Sequence, residues 1–130
     1  MGRFALALVA HDDKKDDMVD WAGRNRAALT AFDLWATGTT GARVAEALGL
    51  PVTCLKSGPL GGDAQLGAMI AEGRLQGLIF FTDPLHTMPH DVDVKGLLRL
   101  AVLYDVPTAM SPTTADYVLA GMLRGVAPPP

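Results

Sequence analysis

An aspartate, Asp63, sits directly behind the glycine-rich stretch Ser57-Gly58-Pro59-Leu60-Gly61-Gly62, and a carboxylate in that place has two uses. The plainer one is structural, an acid at a helix start stabilised by the macrodipole. The chemical one is proton abstraction, which needs a closed, dry pocket and gains from neighbouring acids; Asp12 and Asp93 fill that part if their loops converge. His90, in Pro89-His90-Asp91, is either a loop histidine before an N-capping aspartate or an imidazole donating to a carbonyl oxygen while the adjacent carbon loses its proton. His11 carries the same two readings, whereas His86 reads as a solvated loop residue.

A second constellation, Thr37-Gly38-Thr39-Thr40-Gly41, combines hydroxyls and glycines where a helix begins. Free backbone N–H groups and the positive end of the dipole can hold a phosphate there; otherwise Thr39 or Thr40 is simply the N-cap. Ser57 and Gly58 open the other glycine-rich turn, which brings further backbone donors to the same anion because glycine has no side chain to block approach. Metal binding is not expected: there is no His-Glu-x-x-His, no cysteine pair, and Lys14, Lys15 and Lys56 lie among the candidates. Nor does a Gly-x-Gly-x-x-Gly follow the first apolar run, which argues against a dinucleotide cofactor.

These residues are far apart in sequence, so the elements between them must bring them together. Strand-sized apolar runs occupy residues 4–10, 32–36, 51–55, 77–81 and 106–110. Helical spacing fills 18–29, 42–48, 64–74, 94–104 and 114–123, so strand and helix alternate through the chain. Alternation implies a parallel sheet, since parallel neighbours need a crossover and the helix supplies it. Continuous apolar character in 4–10 and 78–81 fits strands covered on both faces. In such a sheet ligands bind beyond the carboxyl ends of the strands, and nearly every candidate above lies in a strand-to-helix loop.

The chain of 130 residues fits one domain, 1–130, with a loose proline-rich tail from about residue 126. Hydrophobic residues at 49% against 19% charged place it among globular rather than disordered chains. A mean hydropathy of +0.23 points to apolar surface covered by partner subunits, hence a homo-oligomer. A net charge of -3 with scattered lysines and arginines leaves no footprint for nucleic acid or an anionic membrane. The lone cysteine, Cys54, reads as a buried strand residue in a reducing compartment. Residues 4–10 are too short for a signal-peptide core and no run approaches the roughly 18 apolar residues of a membrane span, so a cytoplasmic location is expected.

Taken together, Val9-Ala10-His11-Asp12, residues 36–41, 57–63 and 80–84, and Pro89 to Lys95 resemble the methylglyoxal synthase family. The resemblance runs from about Ala5 to Asp116. It implies a three-layer α/β/α sandwich with a five-stranded parallel sheet in order 3-2-1-4-5, assembled as a homohexamer. It further implies a cofactor-free carbon-oxygen lyase that converts dihydroxyacetone phosphate to methylglyoxal and inorganic phosphate. By motif matching, Asp63 is the implied base, His90 the electrophile, and Asp12 and Asp93 accessory carboxylates. Lys15, Thr37, Gly38, Thr39, Thr40, Ser57 and Gly58 match phosphate-binding positions, with His11 lining the pocket. Family members commonly continue into a longer C-terminal tail with a basic residue directed at the neighbouring subunit's phosphate. Allosteric communication through phosphate would have to work here without it, although Arg99 and Pro84 remain from the segments associated with that coupling.

Two rival readings stand beside this one. A regulatory module binding a phosphate-bearing effector shares the fold but would leave Asp63, His90 and Asp93 without a task. A sugar-phosphate isomerase shares the enediolate but returns glyceraldehyde phosphate.

Overall fold

Five strands, β1 (Ala5–Ala10), β2 (Asp33–Thr37), β3 (Val52–Leu55), β4 (Gly77–Phe81) and β5 (Thr108–Ala109), pair in parallel in the order β3-β2-β1-β4-β5. They belong to a computed structural model that describes residues 3–85 and 94–126. The helices are α1 (Lys15–Arg24), α2 (Arg26–Leu29), α3 (Gly38–Leu48), α4 (Gly62–Ala71), α5 (Val94–Leu103) and α6 (Pro112–Val126).

The central strand explains why its sequence is apolar throughout. Leu6, Leu8 and Ala10 join one core with Met18 and Trp21 of α1, Val44 of α3 and Leu119 of α6. Ala5, Ala7 and Val9 point the other way, into a core with Leu66 and Ile70 of α4 and Leu97 of α5. Side chains alternate across a strand, so a strand with helices on both faces must be apolar at every position. Fully burying a leucine or phenylalanine is worth about 1.5–3 kcal/mol, and Leu6, Leu8, Phe80 and Phe81 all reach that limit or come within a few per cent of it. The two cores and the sheet between them form three layers, α/β/α.

Several elements depart from the expectations of the sequence. The helix expected over 18–29 starts earlier, at Lys15, and is interrupted at Asn25. There the Asn25 side chain donates to the Trp21 carbonyl at 2.9 Å, satisfying an acceptor at the helix end. The fifth strand contracts to two residues at the sheet edge, beside Pro107, which cannot donate to a ladder. Cys54 is exposed rather than buried, because β3 is the opposite edge and has a neighbour on one side only. Val126, the expected start of the loose tail, closes α6, and residues 127–130 lie outside the described part.

Candidate active site

The carboxyl ends of β1, β2 and β3 open onto one cleft of about 220 Å³, lined by Ala10, His11, Asp12, Lys15, Thr37, Gly38, Thr39, Thr40, Ser57, Gly58 and Pro59. Pockets for drug-sized ligands begin at about 300 Å³, so this one suits something smaller.

Its floor is the start of α3. Thr37 is the residue before the helix, extended at φ -92 and ψ 144, and no side chain caps the helix start. Thr39 and Thr40, either of which could have been the N-cap, instead lie inside the first turn. The first-turn N–H groups therefore face ligand or solvent rather than a capping oxygen. Gly38 makes the turn at φ +50, and a Cβ added to it would stand 3.0 Å from Ser57 Cβ. Only glycine lets the two phosphate-suited turns touch in this way.

Above this floor Lys15 reaches across. Its Nζ lies 2.8 Å from Asp12 Oδ1 and donates to Thr39 Oγ1 at 2.5 Å, with the side chain 19% exposed. An ammonium at the positive end of a helix is disfavoured by the dipole, so the arrangement is best satisfied by an anion between the two.

The Ser57–Gly58 wall is held against α4 through both backbone groups of one residue, Lys56. Lys56 donates its backbone N–H to Gln65 Oε1 at 2.8 Å, and the Lys56 carbonyl lies so near Gly62 that a Cβ there would approach it to 2.1 Å. Gly62 in turn donates its N–H to the Ser57 carbonyl at 2.9 Å. On the other wall, the Asp83 N–H donates to His11 Nδ1 at 3.3 Å, and the Phe80 ring stands nearly perpendicular to the imidazole with ring centroids 5.5 Å apart.

Asp63 stands in the first turn of α4 with its Oδ1 buried, but it does not line the same cleft. It lines an adjoining hollow of about 610 Å³ with Ala64, Gly67, Gly96, Leu97 and Arg99, and Gly58 and Pro59 border both spaces. Asp12 is 92% exposed and turns to Lys15, while Asp63 lies beyond the Gly58–Pro59 wall. His90 and Asp93 lie outside the described residues; α5, which begins at Val94, contributes to the Asp63 hollow. Among the described residues no three histidine, cysteine, aspartate or glutamate side chains gather as a metal site requires. A larger hollow of about 620 Å³ lies at the other end of β2 and β3, among Phe32, Leu34, Leu50 and Pro51, so volume alone does not mark the site.

The MGS-like domain family matches residues 17–110. Methylglyoxal synthase of Agrobacterium fabrum is 59% identical over 119 residues, which cover 91% of this chain and 94% of that protein. The chain belongs to the methylglyoxal synthase family. Methylglyoxal synthase of Pseudoalteromonas atlantica is 55% identical, over 91% of this chain and 87% of the relative. A crystal structure of methylglyoxal synthase from Elizabethkingia anophelis superimposes with a TM-score of 0.87 at 50% identity, covering 91% of this chain and 78% of that one.

Of the positions that the methylglyoxal synthase motifs single out, His11, Asp12, Lys15, Thr37 to Thr40, Ser57 and Gly58 share the cleft, and Asp63 borders it from the next hollow. One neighbour, Gln65, is not singled out from sequence, and Asp83 enters only as part of the segment 80–84, without a role of its own. Gln65 leaves no signal there, since any helix surface can carry a glutamine. Asp83 does leave one, because Asp-Pro favours a turn.

Proposed function

We propose that this member of the methylglyoxal synthase family eliminates inorganic phosphate from dihydroxyacetone phosphate to give methylglyoxal. The observation that carries the reading is the pairing of Lys15 with the uncapped start of α3, opposite the Ser57–Gly58 turn, in a cleft of triose-phosphate size. The phosphoryl group binds to the first-turn N–H groups, the hydroxyls of Thr37, Thr39 and Thr40, the Lys15 ammonium and Ser57–Gly58. The carbon chain then extends over Gly58 and Pro59 toward Asp63. Asp63 removes a proton from the hydroxymethyl carbon while His90 donates to the carbonyl oxygen that becomes the enediolate, with Asp12 and Asp93 as accessory carboxylates.

Elimination needs the carbon-oxygen bond to phosphate turned out of the enediolate plane, into overlap with the π system, whereas isomerisation keeps it in the plane. Fixing the phosphoryl group between two rigid turns sets that angle. Electrons from the enediolate form the new carbon-carbon double bond as phosphate departs, and the released enol ketonises to methylglyoxal. No cofactor enters these steps.

We place the enzyme in the cytoplasm, since the lone cysteine suits a reducing compartment. It works as a homohexamer in the family's manner; Leu60, Val102, Leu103 and Tyr117 are large apolar side chains exposed on one subunit and suited to burial by others. Incubating the purified protein with dihydroxyacetone phosphate is expected to yield phosphate and methylglyoxal in equal amounts. Accumulation of glyceraldehyde phosphate, or binding without turnover, contradicts the proposal.

A further inference from the structure

We propose that Asp83 is a positioning residue for His11: its carboxylate shapes the turn after β4 so that the Asp83 amide occupies Nδ1 of the imidazole and leaves the Nε2 proton for a ligand oxygen.

His11 and Asp83 follow neighbouring strands, and the His11 N–H donates to the Phe81 carbonyl at 3.1 Å, so the two loops leave the sheet together. The Asp83 N–H donates to His11 Nδ1 at 3.3 Å. A ring nitrogen that accepts a hydrogen bond carries no proton, which puts the hydrogen of the neutral imidazole on Nε2. That atom is buried and has no hydrogen-bond partner among the described residues, although His11 lines the anion cleft. A buried donor without an acceptor costs stability, and a bound oxygen removes the cost.

The direction of the Asp83 amide is set by the turn that follows. Asp83 Oδ1 accepts the Leu85 N–H at 2.9 Å, an Asx turn with Pro84 at its centre, where the fixed φ of proline suits the bend. Asp83 therefore acts on the ligand through its own backbone and through His11. The inference rests on the reading of the cleft as the phosphate-ester site.

The test uses the full chain with 15N-labelled histidine and long-range proton–nitrogen spectra recorded without ligand, His11 being assigned from its loss in His11→Gln. Asp83→Asn retains an acceptor for Leu85, Asp83→Ala removes it, and Leu85→Pro keeps the carboxylate but removes the donor at a side chain 92% exposed. In the unaltered protein and Asp83→Asn, His11 is expected to be protonated on Nε2. In Asp83→Ala and Leu85→Pro both tautomers are expected, with kcat/KM for dihydroxyacetone phosphate down about tenfold, the weight of one lost hydrogen bond. An unchanged tautomer in Asp83→Ala and Leu85→Pro overturns the proposal. Equal impairment of Asp83→Asn and Asp83→Ala does so too, because the carboxylate charge would then be acting directly. Should Asp83→Ala not fold, Leu85→Pro and Asp83→Asn decide. A shifted tautomer in a protein inactive on dihydroxyacetone phosphate would uphold the positioning role and refute the proposed reaction instead.

Discussion

Replacing Gly62 by alanine puts a methyl carbon 2.1 Å from the Lys56 carbonyl oxygen and 3.0 Å from the Ser57 carbonyl group. Neither neighbour is a flexible side chain, and Lys56 is also held through its N–H by Gln65. The backbone must move, so the cost belongs at the upper end of overpacking, about 3 kcal/mol. With an unfolding entropy of about 2.1 cal/mol/K per residue, that lowers the Tm of a chain of 130 residues by about 10 °C. The displaced segment is the Ser57–Gly58 wall, so KM for dihydroxyacetone phosphate rises with the loss of stability. The control is the same substitution at Gly23, inside α1, where an added Cβ meets nothing within 4 Å. There the better helix propensity of alanine raises stability by about 0.5–1 kcal/mol. Thermal unfolding at fixed protein concentration, paired with steady-state kinetics, reads both. A Gly62→Ala protein melting within about 2 °C of the original, with KM unchanged, would refute the claim that this contact fixes the wall.

Three further expectations follow from other contacts. Lys15→Met removes the ammonium shared by Asp12 and Thr39, and a charge-assisted bond of about 1.5–3 kcal/mol corresponds to a rise of roughly 10- to 100-fold in KM and in the inhibition constant of phosphate. An unchanged phosphate affinity would move the anion elsewhere. Asp116→Ala strips the acceptor from Trp21 Nε1, bonded at 2.9 Å between α1 and α6, and costs about 1–3 kcal/mol of stability with kcat unaffected. A loss of activity without a loss of Tm would show that the contact serves the site. For Asp83, the alanine and asparagine variants are expected to part company in the His11 tautomer, as set out above.

How legible the molecule was depends on what each residue answers to. The strand-to-helix alternation could be read because burial on both faces of β1 and β4 demands unbroken apolar runs, and the loops carrying Thr37 to Thr40 and Ser57 to Gly58 then fall at one sheet edge. The break at Asn25 could not, since it depends on one side chain reaching the Trp21 carbonyl. The exposure of Cys54 follows from strand order, which the apolar character of residues 51–55 does not encode. Likewise the motifs put Asp12 and Asp63 on the same edge, but that Asp12 pairs with Lys15 and that Asp63 lines the hollow next to Gly58 and Pro59 depends on tertiary contacts. The fastening of that wall by Gln65 has no local pattern at all.

On the proposed mechanism the cleft at the start of α3 holds phosphate while Asp63 moves the proton from the adjoining hollow. Asp63→Asn, assayed side by side for turnover of dihydroxyacetone phosphate and for affinity toward inorganic phosphate, separates the two most directly. Turnover is expected to fall by several powers of ten while phosphate affinity stays as it was and the protein remains folded. Comparable turnover, or phosphate binding lost together with activity, would contradict the account.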